Sequence, residues 1–252
     1  MSLSLAVLVS TAVALVAWLA RTLTRSGAVA ASLIGILVLW PTGWGGFGVL
    51  GMFCSALGAR HSALGAEQAD VGGRGARQVW ANGGVAGVGA LGEFLVPGVG
   101  VWLVTIVLAA AGADTWATSF GGLSRRAPRD ILRRTEVAAG TSGGVTWFGT
   151  TGGIMGAGMI GAVGGAVSHS VRLYVVAVSV GVAGMLFDSV LGSAFQARFR
   201  CPTCDQATER RTHRCGTKTI LTAGWAWLDN DLVNATTTAA AFLAGLALWP
   251  TS

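Results

Sequence analysis

The sequence predicts an all-α integral membrane protein, a polytopic bundle of about seven or eight transmembrane helices, several of them short or tilted. Of the 252 residues, 52% are hydrophobic and only 11% are charged, and the mean hydropathy is +0.63. A soluble domain carries roughly 25% charged residues, so the composition is typical of a membrane protein. Basic residues also alternate between the apolar runs. We treat residues 1–252 as one transmembrane domain.

The apolar residues fall into eight runs. They cover residues 2–20, 27–40, 44–59, 80–96, 99–121, 144–167, 173–196 and 232–249. The second and third runs are shorter than the ~20 residues of a straight crossing. Pro41 and Gly43 separate them, and one helix over both would be ~50 Å long. We therefore predict two short or tilted helices.

The basic residues support this division. Of 17 Lys and Arg, 16 follow the first, third, fifth and seventh runs. They are Arg21, Arg25, Arg60, Arg74, Arg77, Arg125, Arg126, Arg129, Arg133, Arg134, Arg198, Arg200, Arg210, Arg211, Arg214 and Lys218. Cytoplasmic loops carry excess Lys and Arg, so we expect these loops in the cytoplasm, both termini outside, and a bacterial-type inner (plasma) membrane. The net charge of +6 belongs to these loops and does not indicate nucleic-acid binding.

Three carboxylates lie in or beside apolar runs, where an ionised side chain is costly and usually functional. Asp114 lies seven residues before Gly121 and Asp188 eight before Gln196, which places each ~10–12 Å inside the predicted cytoplasmic end. Asp231 begins the last run from the same side. Carboxylate oxygens suit Mg²⁺ bound to substrate phosphates. We predict Asp114, Asp188 and Asp231 as catalytic Mg²⁺ ligands; the structural alternative is a helix–helix hydrogen bond for each.

Similar segments that begin with Ser or Asn open several runs on the same side. They are Ser26-Gly27, Asn82-Gly83, Ser142-Gly143-Gly144 and Asn230-Asp231. Ser and Asn are good helix N-caps, and a helix N-terminus binds phosphate through its free N–H groups. We predict that these residues bind phosphate or nucleotide, and that Arg125, Arg126, Arg133 and Arg134 neutralise its charge. The alternative is ordinary capping and close helix packing.

The predicted cytoplasmic loop 197–218 holds four soft ligands. Cys201 and Cys204 form a C-x₂-C pair, and His213 and Cys215 follow within fifteen residues. Four such side chains suffice for a tetrahedral structural zinc site, and a reducing compartment disfavours a disulfide. The alternative is a set of unligated thiols beside a surface histidine.

Five motifs, taken in order, resemble a membrane protein family that includes plant phytyl-phosphate kinase and transmembrane protein 19. They are Leu23–Ala28, Ala113–Ala117, Gly140–Val145, Asp188–Gly192 and Asn230–Asn234. The resemblance implies an isoprenoid-monophosphate kinase, which transfers the γ-phosphate of CTP or another nucleoside triphosphate to phytyl or polyprenyl phosphate. It adds Thr141 and Asn234 to the nucleotide-binding candidates. One departure is Ser119, where the family usually has Glu five residues after its Asp.

Other function classes remain open. Buried acids also occur in ion- or proton-coupled transporters of small anionic or lipid substrates. Transporters tend to bind near the midplane, whereas these acids lie toward one face, which favours an enzyme. A CTP-dependent lipid kinase or a cytidylyltransferase would need a similar metal site with another acceptor. A non-catalytic scaffold gives no reason for three buried acids.

Overall fold

The computed structural model describes residues 1–63 and 73–250, and the side chains of 1–55 and 73–250. This part of the chain is mostly helical, as predicted. The helices are α1 Leu3–Leu19, α2 Arg25–Ala63, α3 Ala76–Ala90, α4 Val99–Gly122, α5 Trp147–Val167, α6 Val171–Ala194 and α7 Asn230–Ala247, with a 3₁₀ turn at Leu91–Phe94. Within the described ranges, four segments are long and apolar enough to cross a membrane: Arg25–Ser55, Val99–Gly122, Trp147–Val167 and Val171–Ala194. The number of crossings, seven or eight, stays a prediction.

Helix α2 is interrupted where the sequence predicts a break. Pro41 lies inside it, and Gly43 has non-helical angles of φ 64° and ψ −157°. A Cβ atom on Gly35 would lie 3.7 Å from Cε2 of Phe47, although twelve residues of continuous helix would span ~18 Å. The two halves of α2 therefore lie side by side. That both halves cross a membrane remains a prediction.

Helix α4 forms the centre of the bundle. Of its most apolar 18-residue window, 89% is buried, against 22% for the corresponding window of α6. Glycines bring its neighbours close: a Cβ on Gly156 of α5 would lie 2.9 Å from the carbonyl oxygen of Gly112, and one on Gly184 of α6 would lie 2.9 Å from Cβ of Ala110. Small residues allow this backbone approach where the hydrophobic effect does not drive helix association.

The outer helices present apolar side chains to their surroundings. Ala6, Ser10 and Ala14 of α1 are buried, and Ser10 contacts Gly35 of α2. Elsewhere on the surface, Leu8 and Val171 are 67% and 78% exposed. Apolar surface on this scale fits contact with lipid tails.

The two ends of the bundle differ in charge. At the end we call the basic end, Leu23 pairs with Arg74 and Arg77 forms an ion pair with Asp229 at 2.7 Å. The basic end comprises residues 21–25, 73–77, 123–146 and 195–229. The alternation of basic loops predicts this grouping. The side chain of Arg60 lies outside the described residues.

Aromatic and apolar contacts form the opposite end, residues 40–45, 91–98, 167–172 and 248–250. Trp40 packs on Phe94 at 4.9 Å between ring centroids, and Trp102 packs on Trp249 at 5.5 Å. The carboxylate of Glu93 accepts hydrogen bonds from the backbone N–H groups of Gly98 and Gly100 at the start of α4. Which end faces the cytoplasm remains a prediction.

Two loops of the basic end contain short antiparallel strands that the sequence analysis did not predict. In the loop after α4, β1 (Arg129–Asp130) pairs with β2 (Gly144–Val145). In the loop after α6, β3 (Arg198–Arg200), β4 (Ala207–Thr208) and β5 (Ile220–Ala223) form a sheet in the order β4-β3-β5.

Candidate active site at the basic end

The structure brings Asp114 of α4 and Asp188 of α6 together. Helices α4 and α6 run parallel, and Gly184 lies against Ala110 one turn before the two acids. The acids therefore face each other, close enough for the charge of Asp114 to act on Asp188. Both side chains are half-buried. The hydroxyl of Thr237 on α7 donates a 3.0 Å hydrogen bond to Oδ2 of Asp188.

Helices α3 and α7 add polar groups beside the acid pair. The hydroxyl of Thr238 donates to the carbonyl oxygen of Ala81 on α3 at 3.1 Å. Asn234 is buried one turn earlier on α7, and Asn82 is buried on α3. Thr237 is not among the residues predicted from the sequence, although a run of three threonines inside an apolar helix is a signal that could have found it.

Asp231 lies farther toward the basic end than the acid pair. It is six residues before Thr237, which is ~9 Å along α7. Its Oδ2 is 3.5 Å from Nε of Arg77. The neighbouring Asp229 caps α7 by accepting a hydrogen bond from the N–H of Leu232 at 3.2 Å. Asp231 therefore lies at the mouth of the site, beside a guanidinium group.

The predicted helix starts at Ser26 and Asn82 are wrong, because each helix begins before its apolar run. Helix α2 begins at Arg25, and the hydroxyl of Thr24, instead of Ser26, accepts from the N–H of Gly27 at 3.0 Å. Helix α3 begins at Ala76 after Gly75. Asn82 lies inside α3, where its amide donates to the carbonyl oxygen of Gln78 at 2.9 Å.

The predicted helix start at Ser142 is also wrong. Gly143 has a φ of +82°, and Gly144 begins β2, which pairs with β1. Helix α5 begins at Trp147, with Thr146 as its N-cap. Backbone pairing with the preceding loop thus takes the place of the first helical turn.

Asp130, which is not among the residues predicted from the sequence, anchors the loop after α4. It is 1% exposed, and its Oδ1 accepts hydrogen bonds from Ser193 Oγ at 2.7 Å and from the N–H groups of Leu132 and Arg133. Burial raises the pKa of Asp130, but these hydrogen bonds and the charge of Arg133 outweigh burial and lower the pKa to about 2 from 3.8. An acid among five arginines is the sequence signal for such an anchor.

The predicted phosphate-binding arginines take different positions. Arg133 donates to Oδ2 of Asp130 at 3.2 Å and is 56% exposed. Arg125, Arg126 and Arg134 are exposed on the same loop. The loop after α4 therefore presents these four guanidinium groups at the basic end, and Arg133 also holds the loop in place.

Ser142 connects the two structured loops. Its N–H donates to Oε1 of Glu209 at 3.0 Å, and its carbonyl oxygen accepts from Nη2 of Arg198 at 3.0 Å. Gly143 follows and packs against Ser193, where a Cβ would lie 2.5 Å from the serine Cβ. The carbonyl oxygen of Thr141 accepts from the N–H of Gly144 at 3.0 Å. These contacts hold residues 141–144 against the loop after α6 and the end of α6.

The remaining candidate residues are placed as follows. A Cβ on Gly27 would collide with the carbonyl oxygen of Arg74, and one on Gly83 would lie 3.3 Å from Cδ1 of Ile34. Asn230 is the exposed first residue of α7. Ser119, where the resembled family has Glu, donates its hydroxyl to the carbonyl oxygen of Thr115 within α4 at 2.8 Å.

Cys201, Cys204, His213 and Cys215 meet at one point of the loop after α6. One ligand atom from each side chain lies within 4.8 Å of the others. The donor set and spacing fit a tetrahedral zinc ion. Cys201 and Cys204 lie in the connection between β3 and β4, and His213 and Cys215 lie in the connection between β4 and β5.

Long apolar helices around a central, glycine-packed helix, with half-buried acids near one charged end, define an integral membrane protein. The family model for the integral membrane protein DUF92 matches residues 8–242. The chain belongs to this family, which is the family that the sequence motifs resemble. It is similar to the uncharacterized membrane protein MJ0933 of Methanocaldococcus jannaschii, with 29% identity over 204 residues, 78% of this chain and 84% of that protein. No solved structure matches the chain.

Proposed function

We propose that this protein is a membrane phosphotransferase. It would convert an isoprenoid monophosphate, such as phytyl or polyprenyl phosphate, to the diphosphate with the γ-phosphate of CTP or another nucleoside triphosphate and Mg²⁺. The observation that carries the proposal is the facing pair Asp114 and Asp188, half-buried near the basic end of the bundle.

Two carboxylates that face each other inside an apolar bundle favour a cation between them. Each ionised group is costly there, and the two negative charges repel. Mg²⁺ binds carboxylates and substrate phosphates together. The hydrogen bond from Thr237 would orient Asp188 toward this ion. When bound, Mg²⁺ would neutralise charge on the transferred phosphoryl group.

Asp231 would act at the mouth of the site. Mg²⁺ binds oxygen at 2.0–2.1 Å, and Asp231 lies ~9 Å along α7 from Thr237, so one ion is not expected to bind both Asp188 and Asp231 directly. Asp231 would instead hold Arg77 in place or bind a second Mg²⁺ on the donor.

Positive charge around the acids would hold the triphosphate and the acceptor phosphate. The N-termini of α2, α3, α5 and α7 lie at the basic end, and each contributes partial positive charge and free N–H groups. Arg125, Arg126 and Arg134 are exposed there. These groups would position two anions that otherwise repel each other.

The proposed transfer needs no strong general base. An anionic oxygen of the acceptor monophosphate attacks the γ-phosphorus, forming the new P–O bond. The bond from the γ-phosphorus to the β,γ-bridging oxygen breaks, and the nucleoside diphosphate leaves with that electron pair. Positioning and charge neutralisation are the main contributions of a protein to such a transfer. The isoprenoid tail would remain among the lipid-facing apolar side chains.

A product assay tests the proposal. Purified protein in nanodiscs is given phytyl or geranylgeranyl monophosphate, Mg²⁺, and CTP or ATP in parallel. Diphosphate is expected with wild type and with Glu136→Gln, an exposed acid of the same end, and its loss is expected in Asp114→Asn and Asp188→Asn. Equal product in all four proteins would reject the assigned metal ligands.

A carrier is the competing function, because a facing acid pair inside a bundle is also typical of ion-coupled transport. Proteoliposomes distinguish the two. Absence of product with every donor and acceptor, together with acid-driven uptake of a lipid phosphate that Asp114→Asn abolishes, would replace the kinase with a transporter.

A further inference from the structure

Four potential metal ligands lie on two tight turns of the loop after α6. In the first turn, the N–H of Cys201 donates to the carbonyl oxygen of Gln206 at 2.9 Å. The N–H of Asp205 donates to the carbonyl oxygen of Cys201 at 2.9 Å. In the second turn, His213 and Thr217 pair through the backbone at 2.9 Å, and Gly216 has a φ of +83°. The turns present C-x₂-C and H-x-C toward each other.

The four ligand atoms lie about as close together as those of a tetrahedral zinc site. With Zn–S of about 2.3 Å and Zn–N of about 2.0–2.1 Å, tetrahedral geometry separates two sulfurs by ~3.8 Å and sulfur from nitrogen by ~3.6 Å. Sγ of Cys201 lies 3.6 Å from Sγ of Cys215. Nδ1 of His213 lies 3.1 Å from the same sulfur, and the whole set lies within 4.8 Å.

Competing explanations account for the cluster less well. A disulfide needs an S–S distance of ~2.05 Å, and all three cysteines are free. Thiols are weak hydrogen-bond donors and acceptors, so mutual hydrogen bonds give little reason for three to converge with a histidine. A single cation that binds all four atoms explains why these side chains converge.

We propose that Cys201, Cys204, His213 and Cys215 bind one structural zinc ion that fixes the loop after α6 against the loop after α4. All four positions are filled by protein atoms, as in structural zinc sites. The ion would be resident and would take no part in phosphoryl transfer.

The same sheet carries the contacts to the neighbouring loop. Arg198, on β3, donates to the carbonyl oxygen of Ser142 at 3.0 Å and lies 3.6 Å from Asp130. Glu209, between the two turns, accepts from the N–H of Ser142 and from Nε2 of Gln196. A metal that closes both turns therefore also fixes the position of residues 141–145 above α6.

Zinc content tests the site independently of any enzyme activity. Protein purified without a polyhistidine tag is expected to contain about one zinc per chain by plasma mass spectrometry, and cobalt is expected to give the visible bands of a tetrahedral thiolate complex. Cys204→Ser and Cys215→Ser should each reduce the zinc content to less than about a tenth of the wild-type value, because a structural site loses most of its affinity when one ligand is removed. Cys54→Ser, which removes the cysteine of α2, should retain it.

Hydrogen exchange tests the coupling between the loops. A zinc chelator is expected to increase exchange in residues 196–225 and 141–145 and leave α4–α6 unchanged. Glu209→Gln should increase exchange at 141–145 while zinc remains bound. Wild type without zinc or cobalt bands, stoichiometric amounts of another metal instead, or equal zinc loss in Cys54→Ser would overturn the assignment. Unchanged exchange after zinc removal would overturn the coupling.

Discussion

The acid pair and the loops above it are built in different ways. Asp114 and Asp188 are positioned by the register of two parallel helices. Gly184 of α6 packs against Ala110 of α4, and the two acids follow one turn later on each helix, opposite each other. Asp130 is positioned by hydrogen bonds from Ser193 and from two backbone N–H groups of its own loop. Helix register can be counted along the sequence, whereas the loop anchor depends on partners far apart in the chain.

The largest effect is expected at the acid pair. Asp114→Asn should lower kcat/KM for diphosphate formation by ~10²–10³-fold, because it removes a charge that holds the metal at the reacting phosphates. Steady-state kinetics over a range of Mg²⁺ concentrations would measure this. Glu136→Gln is the control. An Asp114→Asn enzyme with full activity at low Mg²⁺ would contradict the role of the pair.

The loop anchor should show a large effect on local stability. Asp130→Ala leaves Arg198 and Ser193 without their buried partner, so opening of residues 129–145 should become easier by about 3 kcal/mol. Hydrogen exchange of that segment measures the change. Asp205→Asn alters an ion pair whose acid is 77% exposed, and it should change exchange very little.

The same anchor predicts a pH dependence of loop stability. Because the folded pKa of Asp130 is about 2 and its ordinary value is 3.8, its stabilisation is fully present above pH 3.8 and is lost as the pH falls toward about 2. The pKa difference corresponds to about 2 kcal/mol. Exchange of 129–145, corrected for the intrinsic pH dependence, should rise across this window in wild type. Asp130→Asn should show no such rise.

Helix packing should show a smaller effect. A Cβ on Gly156 would lie 2.9 Å from both the Gly112 carbonyl oxygen and Cγ of Trp116, whereas one on Gly158 would meet no atom within 4 Å. Gly156→Ala should therefore destabilise the bundle by about 1–2 kcal/mol. Gly158→Ala should be neutral or slightly stabilising. Thermal unfolding in detergent compares the two, and equal shifts would mean that α4 and α5 are less closely packed than described.

Prediction from the sequence succeeds where membrane energetics act on the chain directly. Apolar runs locate the helices, Pro41 and Gly43 locate the break in α2, and the arginines locate the basic end. Asp114 and Asp188 could be placed near that end by counting residues. Prediction fails outside the apolar runs: α3 begins at Ala76, ahead of its run, and Ser142 lies in a strand-forming loop instead of a helix. There, backbone pairing and single buried side chains decide the structure.

The reversal of direction at Gly43 determines at which end of the bundle the loops after α2 emerge. Since the two halves of α2 lie side by side, Arg25 and Gly75 emerge at the same end of the bundle. A straight α2 would send every later loop to the other end. Gly43 combines a φ of 64° with a ψ of −157°, a backbone conformation that is essentially confined to glycine. One glycine thereby decides at which end of the bundle the later arginines, and the acids that accompany them, are displayed.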